Sequence, residues 1–248
     1  IGIGYIFISN LIASVVTLLV LLPSILKGFS PLSLRRGAGG EAMLKTILPY
    51  ALPLLVAGLA GMTNETIDRI LLKYLLPADV ALEQVGIYGA CYKISIIMTM
   101  FIQTFRFAAE PFFFSHAKET DSKKVYARVM DYFVIICMII FLGTMMNISW
   151  IQYFVGNDFR AGLEVVPILL MANFCLGVFF NLSIWYKLTR QTKWGAWLTI
   201  FGAAITLIGN FVFIPIYGYM ASAWATLICY ACMMVLSYFM GNKYYPVK

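Results

Sequence analysis

The sequence predicts an all-α, polytopic membrane protein with about seven transmembrane helices. Three observations carry that expectation: a composition too apolar for water, apolar runs of bilayer length, and basic residues gathered in alternate loops. Apolar residues make up 62% of the 248, charged residues 12%, and mean hydropathy is +0.86. Soluble domains carry about 25% charged residues. So few charges cannot clothe a water-facing surface, and lipid must cover much of the outside.

A hydrocarbon core of about 30 Å needs roughly 20 helical residues, and a helix closes its backbone hydrogen bonds within itself. Runs of that length lie near Ile3–Leu26, Ile47–Leu76, Val85–Ser115, Val125–Trp150, Val165–Lys187, Trp194–Ile216 and Tyr219–Met240. The period-2 alternation of a barrel is absent. Pro49, Pro53, Pro111 and Pro167 fall inside or near the ends of these runs, where neighbouring helices satisfy the freed carbonyls. The chain opens at Ile1 inside an apolar run and stops at Lys248 in a loop. Both ends read as cuts through a longer protein.

Loop charge orients the spans. Lys27, Arg35, Arg36 and Lys45 fall in one loop, Lys118, Lys123, Lys124 and Arg128 in the next but one, then Lys187, Arg190 and Lys193, and finally Lys243 and Lys248. The intervening loops hold only Lys73 and Arg160. The basic set is expected to face the cytoplasm, with Ile1 beginning outside and Lys248 ending inside. The net charge of +7 follows from this arrangement, and it favours anionic membrane lipid. Nucleic acid is not an expected partner, because the basic residues are divided among short loops with no basic helix or aromatic platform.

Nothing in the sequence looks catalytic, and no metal cluster or P-loop appears, so the chain does not read as an enzyme. All five cysteines lie within the apolar runs. Cys229-Tyr-Ala-Cys232 has redox spacing but no acid or histidine near it in sequence, and it reads as small apolar filler. His116, the one histidine, reads as a solvated loop residue.

The informative residues are the charges left inside the membrane. The second run carries Asn64, Glu65, Asp68 and Arg69; the third carries Lys93, Arg106 and Glu110. Each ion at the bilayer centre costs roughly 2.5–3.5 kcal/mol on insertion scales, so these groups are expected to face protein or a polar cavity. Spacing agrees with that. At about 100° per residue, Gly58, Gly61, Glu65 and Asp68 make one stripe, with Arg69 a turn beyond Glu65. Ser95, Thr99, Gln103, Arg106 and Glu110 make another. Lys93 lies about 160° off that stripe, nearer the outer end, where a lysine snorkels. Weaker stripes recur at Asn10, Ser14 and Thr17, at Asn173, Gly177 and Asn181, and at Thr199, Ala203, Thr206 and Asn210. Small and polar residues also mediate plain helix packing, and Arg106 with Glu110 has the spacing of a structural ion pair.

Gly209-Asn210-Phe211-Val212-Phe213-Ile214-Pro215-Ile216-Tyr217-Gly218-Tyr219-Met220-Ala221-Ser222-Ala223-Trp224-Ala225-Thr226 resembles a hairpin of the multidrug/oligosaccharidyl-lipid/polysaccharide flippase superfamily. That superfamily includes the O-antigen flippases, the lipid II flippases and the MATE drug exporters. Pro215 and Gly218 are expected to end one helix and turn tightly. The segments Phe105–Phe113 and Tyr186–Lys193 resemble the polysaccharide branch; Trp224 departs from the pattern, where smaller residues are usual.

The resemblance implies helices six to twelve of a two-lobed transporter of 12 to 14 helices. Residues 1–26 would be the last helix of the first lobe, 27–44 a cytoplasmic inter-lobe linker with a Gly37-Ala38-Gly39-Gly40 hinge, and 45–248 the second six-helix lobe. It implies a flippase of undecaprenyl-pyrophosphate-linked oligosaccharide in the bacterial inner membrane, working by alternating access for cell-surface polysaccharide such as the O-antigen of lipopolysaccharide. A polysaccharide polymerase and other surface-glycan assembly proteins would be partners. In that scheme Arg69 and Arg106 suit the pyrophosphate, a guanidinium being a fixed fork of donors. Thr99 and Gln103 would line the path. Glu65, Asp68, Glu110 and Asp131 would balance charge or carry a coupling ion, H⁺ or Na⁺; Lys93, Asn173, Asn181 and Asn210 are secondary candidates. Rival readings are a MATE-like exporter of cationic small molecules, a lipid II flippase, and a structural membrane scaffold.

Overall fold

A computed structural model describes residues 37–117 and 121–244, with side chains from Pro49 onward. Nearly all of them are helical and none is in a strand. The expected first helix, Ile1–Leu26, and most of the expected linker lie outside the described residues. The chain divides into two compact units, Ile1–Pro49 and Tyr50–Lys248. Of the first only the helical backbone from Gly37 is described; the second contains the core.

Six long helices are described: α1 Gly37–Leu75, α2 Ala78–His116, α3 Ser122–Met146, α4 Val165–Leu182, α5 Thr192–Tyr217 and α6 Tyr219–Tyr244. Among the described residues five segments are long and apolar enough to cross a membrane: α2, α3, Asn157–Leu188 around α4, α5 and α6. The protein is an all-α, multi-pass membrane protein.

Local chemistry sets the breaks. Pro77 bars αR geometry at Leu76, so α1 ends at Leu75, and the Pro77 carbonyl restarts the ladder by accepting from Val80 and Ala81 at 3.1 and 2.9 Å. α3 ends at Asn147, whose side-chain amide donates back to the Gly143 carbonyl at 2.8 Å. A short turn and two 3₁₀ segments, Gln152–Phe154 and Asn157–Glu164, then lead into α4. The expected single run Val165–Lys187 breaks at Ser183 and resumes as a short helix, Ile184–Leu188. At the hairpin the sequence expectation is half met. Pro215 does not end α5 but sits inside its last turn, where a missing N–H leaves only the Phe211 carbonyl without its helical partner.

Gly218 alone makes that turn, at φ +57° and ψ −138°. Its neighbour Tyr219 donates its N–H to Gln84 Oε1 of α2 at 3.0 Å, so α2 caps the hairpin.

The middle of the bundle is α4, lying against α2 and α6, while α3 is the least buried of the five candidate spans. Leu169, Leu170, Phe133, Met98 and Ile214 fill the main core. α5 and α6 approach closely at Gly202, where a Cβ would overlap Met233 and come 3.1 Å from Cys229 Sγ; small residues permit such approach in lipid. From Tyr50 onward the α1 backbone stands off from the other described long helices, and buried side chains reach across instead.

Gly218→Ala is therefore expected to destabilise the bundle. The new Cβ would lie 2.6 Å from Gln84 Oε1, in a backbone region that costs a side-chain-bearing residue about 1–3 kcal/mol. A thermal midpoint in detergent equal to that of the parent would refute this account of the turn.

Candidate functional site

Two polar centres lie within the apolar bundle, and the residues predicted from sequence divide between them. The first is built on Asp68, which is 3% exposed. Its Oδ1 accepts from Asn210 Nδ2 of α5 at 2.7 Å. Its Oδ2 accepts from Tyr88 Oη of α2 at 2.9 Å and from Thr226 Oγ1 of α6 at 2.8 Å. One carboxylate thus joins four helices. One turn earlier on α1, buried Asn64 donates to Cys229 Sγ of α6 at 3.3 Å. Three buried acceptors around this centre have no hydrogen-bond partner: Asn64 Oδ1, Asn210 Oδ1 and Ser222 Oγ. Buried polar oxygens ordinarily find a donor or a cation, so the centre has oxygen capacity to spare.

The second centre is Arg106–Glu110–Lys187. Arg106 Nε lies 3.5 Å from Glu110 Oε1, and Lys187 Nζ donates to the same oxygen. The Arg106 guanidinium also covers the Phe180 ring, 4.7 Å from its centroid. A small cavity of about 10 Å³ adjoins the three charges and Asn181; the Asn181 side-chain N–H groups are buried and unpartnered. Two cations converge there on one carboxylate, with the Asn181 amide lining the same cavity. Glu110 is 37% exposed, so the group is open on one side.

The remaining predicted residues are placed as follows. The stripe Gly58–Gly61–Glu65–Asp68 is not one environment: Glu65 is exposed while Asp68 is buried. Arg69 lies over the Tyr92 ring at 4.6 Å, on the open side of α1. Ser95 is buried and donates to the Tyr92 carbonyl at 2.7 Å. Thr99 and Gln103 are half-buried, with Thr99 Oγ1 unpartnered. Asn173 is buried with its N–H groups unpartnered, apart from either centre. Lys93 is exposed and borders a groove against Phe154 and Phe159, on another face from Arg106. Asp131 is exposed and lines a separate cavity with Asn181. Among the described residues no group of three histidine, cysteine or acidic side chains could hold a metal ion.

Sequence reasoning missed Tyr88 and Lys187 altogether as site residues. A tyrosine in an apolar run carries no periodic signal. Lys187 counted as a loop charge, and only the break at Ser183 turns it back towards Glu110. Thr226 was visible only as a packing position in the hairpin, and Cys229 only as small apolar filler.

Asp68→Ala would leave the buried Tyr88 and Asn210 donors without their acceptor, while Thr226 Oγ1 keeps the Ser222 carbonyl at 2.9 Å. Bonds between membrane helices average about 0.6 kcal/mol each, and stranded buried donors cost more, so a loss of about 2 kcal/mol or more is expected in reversible unfolding by dodecyl sulfate. Lys93→Ala, at an exposed site, should stay within about 0.5 kcal/mol. Equal losses in the two variants would remove the assigned role of Asp68.

Comparison with models of protein families, with curated proteins and with solved structures finds no match to this chain.

Proposed function

We propose that this chain serves in a carrier that flips an undecaprenyl-pyrophosphate-linked oligosaccharide across the bacterial inner membrane for cell-surface polysaccharide synthesis. The observation that carries the reading is the Arg106–Glu110–Lys187 centre. Two cations meet one half-open carboxylate inside an apolar bundle, and a buried amide donor stands beside them. Guanidinium and ammonium together suit a phosphate, the first by its fork and the second as a point charge. Positive charge in excess over the one acid is what an anionic headgroup needs, and the polyprenyl tail would stay in lipid. A packing scaffold gives no reason for that excess. A lipid II flippase would present the same chemistry to its own pyrophosphate.

The Asp68 centre supports coupling to an ion. A carboxylate with unpartnered Asn64, Asn210 and Ser222 oxygens nearby offers the oxygen ligands that Na⁺ prefers, or a seat for H⁺. Its burial also bears on the rival reading, export of cationic molecules: the acid in the described bundle that is open on α1 is Glu65, with Arg69 one turn away.

The test is genetic, in cells whose surface glycan depends on this protein. Arg106→Ala is expected to abolish glycan display while membrane abundance stays near normal, because Lys187 still pairs with Glu110. Lys93→Ala should be mild. Restoration of display by combining Arg106→Ala with Glu110→Ala would make Arg106 a structural residue and end the phosphate role. Asp68→Asn joins the same assay, and unchanged display there would remove ion coupling from the scheme.

In orientation, the basic loops support a cytoplasmic end at Lys248 and an outer end at Ile1. Lys124→Cys, at a residue 77% exposed, should be labelled by an impermeant thiol reagent only from the cytoplasm, and Asn157→Cys only from outside. The opposite pattern would reverse the assigned topology.

A further inference from the structure

A second cavity, of about 230 Å³, opens where the end of α2, the start of α3, the Ser183 break and the end of α6 come together. Phe113, Tyr126, Trp185 and Tyr238 line it, with Asp131 and Asn181 among them. Its aromatic walls are fixed. Tyr126 Oη donates to the Phe113 carbonyl at 2.7 Å, and the two rings meet edge to face at 4.9 Å. Trp185 donates Nε1 to Ser237 Oγ at 3.4 Å and stacks on Tyr244 with centroids 5.6 Å apart. The polar edges of Tyr126 and Trp185 are therefore used within the protein. What remains for an occupant is ring surface, the Tyr238 hydroxyl, one carboxylate and the amides of Asn181 and Asn242.

The carboxylate is the unusual part. Asp131 makes no ion pair or hydrogen bond with a described residue, and it sits in a cavity whose lining includes four aromatic side chains. Asn181 is nine-tenths buried, and its N–H groups have no partner. An aromatic enclosure with an acid attracts a cation through the ring quadrupoles as well as by charge. The space equals about eight water volumes at roughly 30 Å³ each, too large for a bare ion. The unpartnered Asn181 donor calls for an oxygen acceptor on the same molecule.

We infer that this cavity is a binding site for an organic ammonium carrying a nearby phosphate oxygen, an ethanolamine- or choline-phosphate head. The ammonium lies against Asp131 and the rings, and the oxygen accepts from Asn181. The site shares Asn181 with the cavity beside Arg106, whereas Asp131, Trp185 and Tyr238 belong to it alone. The same chemistry is offered by a zwitterionic phospholipid of the surrounding leaflet or by a soluble phosphodiester amine.

The test uses the purified 248-residue chain in nanodiscs of phosphatidylglycerol, titrated calorimetrically with glycerophosphoethanolamine and, separately, glycerophosphocholine. Saturable one-site binding is expected with at least one of them. Asp131→Asn should weaken it at least tenfold and Tyr238→Ala three- to tenfold. Both residues are exposed, and unchanged thermal midpoints would show that the variants fold. Should Asp131→Asn fail to fold, Tyr238→Ala decides by itself. Repeating the titration in phosphatidylethanolamine nanodiscs identifies the source. Loss of the signal there supports the lipid as occupant, and an unchanged signal supports the soluble amine. Absence of saturable binding in phosphatidylglycerol, or an Asp131→Asn affinity equal to that of the parent, would overturn the proposal.

Discussion

Taking a carboxylate out of water and leaving it in hydrocarbon is among the most expensive things a membrane protein can do, and the arrangement of this bundle answers that cost at Asp68. The group sits on α1, whose backbone from Tyr50 onward keeps its distance from the other described long helices. It is met by Tyr88 from α2, Asn210 from α5 and Thr226 from α6. Hydrophobic attraction cannot assemble helices in lipid, because the tails are as apolar as leucine. Directional bonds to one acid are therefore what give α1 a fixed place. The Gly202 contact and the Gly218 turn hold α5 and α6 together so that Asn210 and Thr226 reach the same carboxyl.

The Arg106–Glu110–Lys187 centre obeys a different logic. It is partly open, and its charges exceed neutrality by one. Arg106 with Glu110 alone would be a plain helix-surface ion pair of modest worth. The third member enters because the Asn157–Leu188 span breaks at Ser183. That break also brings Trp185 and Asn181 to the cavity with Asp131. One irregularity in one helix thus borders two polar environments that meet at Asn181.

Much of the architecture was legible in the sequence because bilayer thickness imposes a length that apolar runs must match. The α5–α6 boundary falls at Gly218, which the sequence had marked as a turn, while the start of α2 follows from Pro77, which it had not singled out. The charges that had to be sheltered were visible too, since any ion in an apolar run stands out. What stayed hidden was partnership. Helical periodicity put Glu65 and Asp68 on one stripe, yet three residues is a rotation of about 300° rather than a full turn. That offset is enough to bury one and expose the other where a helix edge meets solvent-facing space. Tyr88 and Lys187 carried no signal because each is an ordinary residue for its local segment, and only the tertiary arrangement gives it a counterpart. Pro215 misled in the other direction, since a proline in a last turn costs little and does not end the helix.

The bonds to Asp68 have one more consequence, which concerns the order of events during synthesis. Asn210 lies 142 residues and Thr226 158 residues beyond Asp68 in the chain. At about 5–20 residues per second, α1 waits roughly seven to thirty seconds for them. Through that interval Tyr88 is the only one of its three partners already made. The single-residue link at Gly218 then delivers Asn210 and Thr226 as a preformed hairpin. The first helix of this bundle to emerge is thus among the last to be settled, and it is fastened by the last two.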